Sequence, residues 1–139
     1  MTNILETKNL CFSYPDGLPA LQGIDFSVKK GEFVGILGAN GSGKTTLLKI
    51  INGLLKTANG EIYLEGRNSR SINRDILFRK VCTMFQNPDD QLFASTAGED
   101  IAYGPTNMGL KKEDVRKRVD YALAAVDMRK FADKPINNL

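Results

Sequence analysis

Apolar residues occur along the chain in two kinds of run, and the difference predicts the architecture. Glu32-Phe33-Val34-Gly35-Ile36-Leu37 and Val81-Cys82-Thr83-Met84-Phe85 are almost continuously apolar, which predicts strands buried on both faces. Residues 3–12 alternate loosely, and so does Glu61-Ile62-Tyr63-Leu64-Glu65-Gly66. Leu21 to Lys29 carries Leu21, Ile24, Phe26 and Val28 as its apolar side. These three segments predict half-buried strands. Turn chemistry separates them. Pro15-Asp16-Gly17 combines a preset φ with a residue that accepts positive φ, and Lys29-Lys30-Gly31-Glu32 and Lys56-Thr57-Ala58-Asn59-Gly60 are further turn clusters.

Helical spacing is clearest from Lys111 to Met128, where Val115, Val119, Leu123 and Val126 recur with Ala122 beside them. Its other face mixes Lys111, Lys112, Arg116, Lys117 and Arg118 with Glu113 and Asp114, a solvated face rather than a membrane-surface one. Thr46 to Leu55 predicts a second helix, Arg74 to Arg79 a short one, and residues 67–73 a polar loop. Met128 to Lys134 predicts one more helical turn, ended by Pro135.

The junction of the first continuous apolar run with the next helix carries the strongest chemistry. Gly38-Ala39-Asn40-Gly41-Ser42-Gly43-Lys44-Thr45 fits G-x-x-x-x-G-K-[ST], the phosphate-binding P-loop pattern. Gly38, Gly41 and Gly43 let the backbone curl tightly, which turns N–H groups of Asn40, Ser42 and their neighbours inward on an anion. Lys44 supplies a point charge for β- and γ-phosphates, and Thr45 a hydroxyl for Mg²⁺. Thr46 follows in the first helical turn, where backbone amides and the helix dipole favour anions. Gln86 stands at the C-terminal end of the second continuous run, where ligands of α/β sheets collect.

Composition narrows the function classes. A chain of 139 residues with 42% hydrophobic and 25% charged residues has the balance of a globular domain or part of one. A net charge of +3 is too mild to argue for a nucleic-acid partner. No apolar run is long enough to span a membrane, and the first six residues lack the pattern of a signal peptide. Cys11 and Cys82 sit in apolar, strand-like surroundings and are expected to be reduced core thiols. Histidine is absent, which removes it as base, ligand or pH switch within these residues.

With Phe12-Ser13-Tyr14-Pro15-Asp16-Gly17, the P-loop, Gln86-Asn87-Pro88-Asp89-Asp90-Gln91-Leu92-Phe93 and Gly98-Glu99-Asp100-Ile101-Ala102-Tyr103-Gly104-Pro105 in place, a family resemblance becomes specific. The chain resembles the nucleotide-binding subunit of ATP-binding cassette (ABC) transporters, most of all the cobalt and energy-coupling-factor (CbiO-like) importers. The resemblance runs along essentially the whole chain. It implies an α/β fold: an incomplete P-loop NTPase (RecA-like) core with an N-terminal antiparallel β subdomain and a C-terminal helical segment. The β subdomain and P-loop would cover about residues 1–86, and the Q-loop and helical subdomain about 87–139. It implies ATP and Mg²⁺ as ligands, with Tyr14 stacking on adenine, Gly38, Asn40, Gly41, Ser42, Gly43, Lys44, Thr45 and Thr46 on phosphates, Thr45 and Gln86 on the metal, and Gln86 also placing water. It implies a membrane-embedded transporter subunit and a second ATP-binding subunit as partners, no nucleic acid, and a location on the inner face of the cell membrane. The cargo would be cobalt, nickel or a vitamin.

The same resemblance marks departures. Relatives carry a Ser-Gly-Gly-Gln signature, a Walker B aspartate with its catalytic glutamate, and a switch histidine, and none of these occurs in this sequence. The expectation is an N-terminal portion that binds nucleotide weakly at most and does not turn it over, because in-line attack needs a positioned water and a metal held from both sides. Gly98 is expected to weaken its helix start by up to ~1 kcal/mol, and Lys111 stands where a capping serine is common. Asn87-Pro88-Asp89-Asp90 is expected to be an exposed turn. Leu92 and Phe93 remain open between a docking face and a helical core. The rival readings are a non-hydrolysing nucleotide-binding or regulatory module that pairs with a complete homologue, an ABC ATPase acting on DNA or ribosomes, and a P-loop kinase.

Overall fold

The structure is a computed structural model that describes residues 3–56, 59–87 and 91–136. It divides into two compact units, residues 1–83 and 84–139.

In the first unit, β1 (Asn3–Ser13), β2 (Pro19–Lys29), β3 (Asn59–Leu64) and β4 (Arg67–Asn68) form a four-stranded antiparallel sheet in the order β2-β1-β3-β4. The loosely alternating segments are therefore strands, as their pattern predicts. Leu21 and Ile24 share a face despite an odd spacing because the ladder slips between them: Phe12 pairs with Leu21 and Leu10 with Ile24. Gly23 absorbs the extra residue at φ +63°. A second slip lies between Thr7 and Leu10, where Asn9 takes φ 45° and its amide donates to Asp25 Oδ1 at 2.7 Å. The segment 67–73, expected as polar loop, contains β4 and a 3₁₀ turn at Ser69–Ser71. Glu65 and Gly66, both at positive φ, make the tight turn that brings Arg67 back against Leu64.

Helix α1 (Lys44–Ile51) packs its Leu47, Ile50 and Ile51 with Leu10, Leu21 and Ile62 of the sheet. Leu10 is wholly buried. At the end of α1, Asn52 is buried and donates through Nδ2 to Thr83 Oγ1 at 2.8 Å. Helix α2 (Arg74–Lys80) starts at Asn73, whose side chain accepts from Asp75 N, and its Lys80 ammonium bonds Glu65.

The two continuous apolar runs differ from expectation. Neither 32–37 nor 81–85 forms a strand, and among the described residues no ladder partner lies beside either. Phe33 and Leu37 are almost fully exposed, at 102% and 95%, and Met84 at 83%. Ile36 and Val81 alone from these runs pack against the core cluster. A run apolar on both faces needs strands on its edges and cover on both sides, and these units supply neither. For the same reason Cys82 is exposed rather than a core thiol. Cys11 is half-buried, its sulfur accepting from Gly23 N at 3.1 Å, and among the described residues neither thiol forms a disulfide.

In the second unit, α3 (Ala97–Asn107) and α4 (Lys112–Ala125) pack together, followed by a 3₁₀ turn at Arg129–Phe131. Thr96 caps α3 by accepting from Glu99 N at 3.3 Å, with Glu99 and Asp100 favourably placed in the first turn. Gly98, expected only as a weak helix former, has a packing role. Its amide donates to Ala132 O at 2.8 Å, and a Cβ there would press on that oxygen at 3.0 Å. The tail thus returns across the start of α3, where Thr96 bridges Pro135. Lys111 begins α4 without a side-chain cap. Leu123 is buried and Val115, Val119 and Ala122 half-buried, but Val126 is 63% exposed because α4 ends at Ala125 and Asp127 turns to φ 56°.

Two tests follow from these contacts. At Gly60 a Cβ would overlap the Asn9 carbonyl and lie 2.6 Å from Leu10 Cα, whereas at Gly66 it would meet nothing. Both have positive φ, so Gly60→Ala is expected to cost about 1–3 kcal/mol more than Gly66→Ala in urea unfolding. The Lys80 ammonium holds the Glu65 carboxyl below its ordinary pKa. A lowered folded pKa stabilises above the unfolded value, and the effect is lost as pH falls through the folded one. Glu65→Gln is therefore expected to be less stable than wild type at neutral pH, with the gap closing as acid titrates the carboxylate.

Candidate functional site

The P-loop lies in the first unit and is shaped by three glycine-dependent features. Gly41 and Gly43 hold φ of 80° and 90°. Gly43 is also the N-cap of α1, and a Cβ there would lie 2.5 Å from Ala20 O and 3.0 Å from Leu21 Cδ2. The loop therefore sits directly on β2, and only glycine fits. At Gly38 a Cβ would meet Ser42 Oγ at 2.8 Å, so the start of the loop closes on its middle.

The head of α1 suits an anion. Gly43 offers no capping side chain, and the first turn holds no acidic residue. Its first amides and the positive end of its dipole are left to whatever binds there. Lys44 folds back over the loop: Nζ donates to Gly38 O and Ala39 O, each at 2.8 Å, and to Ser42 Oγ at 3.3 Å. An ammonium held by neutral acceptors beside a helix N-terminus is an anion receptor in waiting, since phosphate oxygens are stronger acceptors than carbonyls. Asn40 and Thr45 are exposed on the loop and first turn.

Tyr14 is brought to the same place. Its hydroxyl shares a 3.0 Å hydrogen bond with Thr46 Oγ1, in the first turn of α1. The Tyr14–Gly17 turn closes with Gly17 N donating to Tyr14 O at 2.9 Å. The Phe12 ring meets Tyr14 edge-on at 5.0 Å, and Tyr14 stays 39% exposed. Thr46 itself is buried, so it braces Tyr14 rather than opening to solvent. The resemblance implies a phosphate role for Thr46 and gives no sign of this brace, because a hydroxyl paired across 32 residues leaves no local pattern.

Gln86 belongs to the second unit and is exposed. Pro88, Asp89 and Asp90 lie outside the described residues. Gln91 is a residue whose role the pattern did not reveal. Its Oε1 accepts from Phe85 N at 3.0 Å and closes the Gln86 loop. Asp100 Oδ1 accepts from the amides of Phe93 and Ala94 at 2.9 and 3.2 Å. Phe93 is 77% exposed and Leu92 41%, with Phe93 6.1 Å from the Tyr103 ring. Neither is buried in the helical core.

Metal chemistry has limited protein support. Among the described residues no group of His, Cys, Asp or Glu could hold an ion by itself. The Thr45 hydroxyl fits the pattern of Mg²⁺, which keeps waters and takes most oxygens from substrate phosphates. No helix among the described residues is long and apolar enough to cross a membrane.

Comparison with known proteins agrees with this arrangement. The ABC transporter family profile matches residues 21–139. The energy-coupling factor transporter ATP-binding protein EcfA of Methanosphaera stadtmanae is 48% identical over 100% of the chain and 51% of its own length. The EcfA of Methanocaldococcus jannaschii is 51% identical over 98% of the chain and 50% of its own length. Among solved structures, cbiO1 of Clostridium perfringens, part of the ABC transporter complex cbiONQ, superposes with a TM-score of 0.84 at 37% identity, covering 100% of this chain and 56% of that one. The chain spans about half the length of the curated relatives it matches. A P-loop set on an antiparallel β subdomain, followed by a helical unit, is thus the N-terminal portion of an ABC ATPase, and the chain belongs to the ABC transporter ATP-binding family.

Proposed function

We propose that the chain binds Mg-ATP at the P-loop and belongs to an ATP-binding subunit that energises an energy-coupling-factor-type importer of cobalt, nickel or a vitamin. The observation that carries this is Lys44 held over the loop by Gly38, Ala39 and Ser42 at an uncapped helix head. On binding, Lys44 exchanges those acceptors for β- and γ-phosphate oxygens, while amides of residues 39–46 face the remaining charge. Thr45 gives its hydroxyl to the metal, which neutralises phosphate charge when bound. Tyr14, braced by Thr46, offers its ring face to adenine. Gln86, on a loop closed by Gln91, places the attacking water and reads nucleotide state to a partner.

The remaining assignments rest on the family. EcfA proteins are named as energy-coupling factor transporter ATP-binding proteins, and another similar structure, 29% identical with a TM-score of 0.77, is a dimeric ATP-binding cassette bound to ADP and Pi. A second cassette and a membrane-embedded subunit are therefore the proposed partners, at the inner face of the membrane. Exposed Leu92 and Phe93 support the docking role over the core role for that segment. The proposed domain division is a β subdomain and P-loop over about 1–86 and a helical subdomain over about 87–139. A second reading is a non-hydrolysing nucleotide-binding or regulatory module that pairs with a complete homologue, to which exposed Phe33 and Leu37 offer apolar surface.

Titration with a fluorescent ATP analogue in Mg²⁺ tests the nucleotide site. Lys44→Ala is expected to weaken binding at least tenfold. Tyr14→Ala is expected to weaken it by about 1–3 kcal/mol and Tyr14→Phe by much less, since the ring is kept. No saturable binding by wild type, or equal binding by Lys44→Ala, would sink the proposal. Phosphate release by residues 1–139 should not exceed the Lys44→Ala background, since no histidine and no Ser-Gly-Gly-Gln occurs among them, and release well above it would refute this. Leu92→Ser with Phe93→Ser should abolish capture of the membrane subunit while leaving nucleotide binding intact; undiminished capture would return that segment to a purely structural role.

A further inference from the structure

A second concavity of the first unit lies away from the P-loop and is unused by the proposed function. It encloses about 440 Å³, within the size range of small-molecule sites. Its apolar wall is made by Ile50 and Ile51 of the last turn of α1, Ile62 of β3, Ile72 and Leu77. Four of these are buried and Ile72 is half-buried, so the wall belongs to the packed core and keeps its shape.

The rim has one sign of charge. Lys56, Arg70 and Arg74 line it, and among the described residues no acidic one does. Arg70 Nη2 donates to Gly60 O at 3.1 Å, and Arg74 Nη2 to Gly53 O at 3.5 Å. Each guanidinium is thus leaned on a backbone carbonyl of the pocket's edge, with most of its five donors left over. Among the described residues neither arginine takes part in an ion pair. Arg74 is further steadied over the Phe78 ring at 5.7 Å. Two pre-placed forks above an apolar wall match a ligand with a planar or tetrahedral anion at one end and a hydrocarbon body at the other.

We propose that this cavity binds a small anionic amphiphile, its carboxylate or phosphate head on Arg70 and Arg74 and its apolar body against Ile62, Ile72 and Leu77. Because Ile50 and Ile51 are the far end of the helix that carries the P-loop, occupancy stabilises α1 from its C-terminal end. The inference is independent of nucleotide binding.

Octanoate and octyl phosphate serve as probes, with octanol and acetate as controls lacking the head or the body. Binding is followed by NMR shifts of the isoleucine and leucine methyl groups. The expected result is saturable shifts at Ile62, Ile72 and Leu77 with both anionic probes, at least tenfold weaker binding of octanol and acetate, and at least tenfold weaker octanoate binding by Arg70→Ala/Arg74→Ala. Arg70→Lys/Arg74→Lys, which keeps the charge and loses the fork, should fall between. Stronger binding of octyl phosphate than octanoate would name phosphate as the head, and the reverse would name carboxylate. Octanol binding as tightly as octanoate, an unaffected double alanine variant, shifts centred on Ile36 and Leu37 instead, or no saturable shift would each overturn the proposal.

Discussion

Everything at the phosphate site depends on how closely α1 sits on the sheet. Leu47, Ile50 and Ile51 bury against Leu10, Leu21 and Ile62, and this fixes the helix axis. At the helix head there is no clearance: Gly43 lies where a Cβ would strike Ala20 O. The hydrophobic contact at one end of α1 therefore sets the backbone geometry at the other. Burial of a few aliphatic side chains, worth about 1.5–3 kcal/mol each, places amides and an ammonium at the proposed phosphate site. Tyr14 is tied into the same arrangement through Thr46, so the aromatic and the cradle share one support.

Much of this was legible in the sequence because the signals are local. Alternation gave β1, β2 and β3, helical spacing gave α4, and the glycine pattern with Lys44 and Thr45 gave the loop. What escaped was non-local. The slip at Gly23 that keeps Leu21 and Ile24 on one face, the Tyr14–Thr46 bond and the Gln91 closure of the Gln86 loop all depend on residues brought together by folding. Gly98 is a case of the same kind: its low helix propensity is local, but its reason for being glycine is Ala132 across the unit.

The two continuous apolar runs show where a correct pattern yields no element. Their composition is that of interior strands, yet Phe33, Leu37 and Met84 face solvent and no strand among the described residues pairs with them. Strand character is a property of a segment together with its neighbours. Neither run has such neighbours among the described residues. The P-loop follows directly on the first of these runs, so the cradle is anchored on its helix side by a packed core and on its other side by little more than Ile36.

We propose that this half-anchored loop is still a phosphate receptor governed by Lys44. Amide hydrogen exchange across residues 38–46, with and without Mg-ATP, tests it most directly. The account predicts that Mg-ATP slows exchange in this stretch in the wild type and leaves it unchanged in Lys44→Ala. Unchanged exchange in the wild type, or protection that survives in Lys44→Ala, would contradict it.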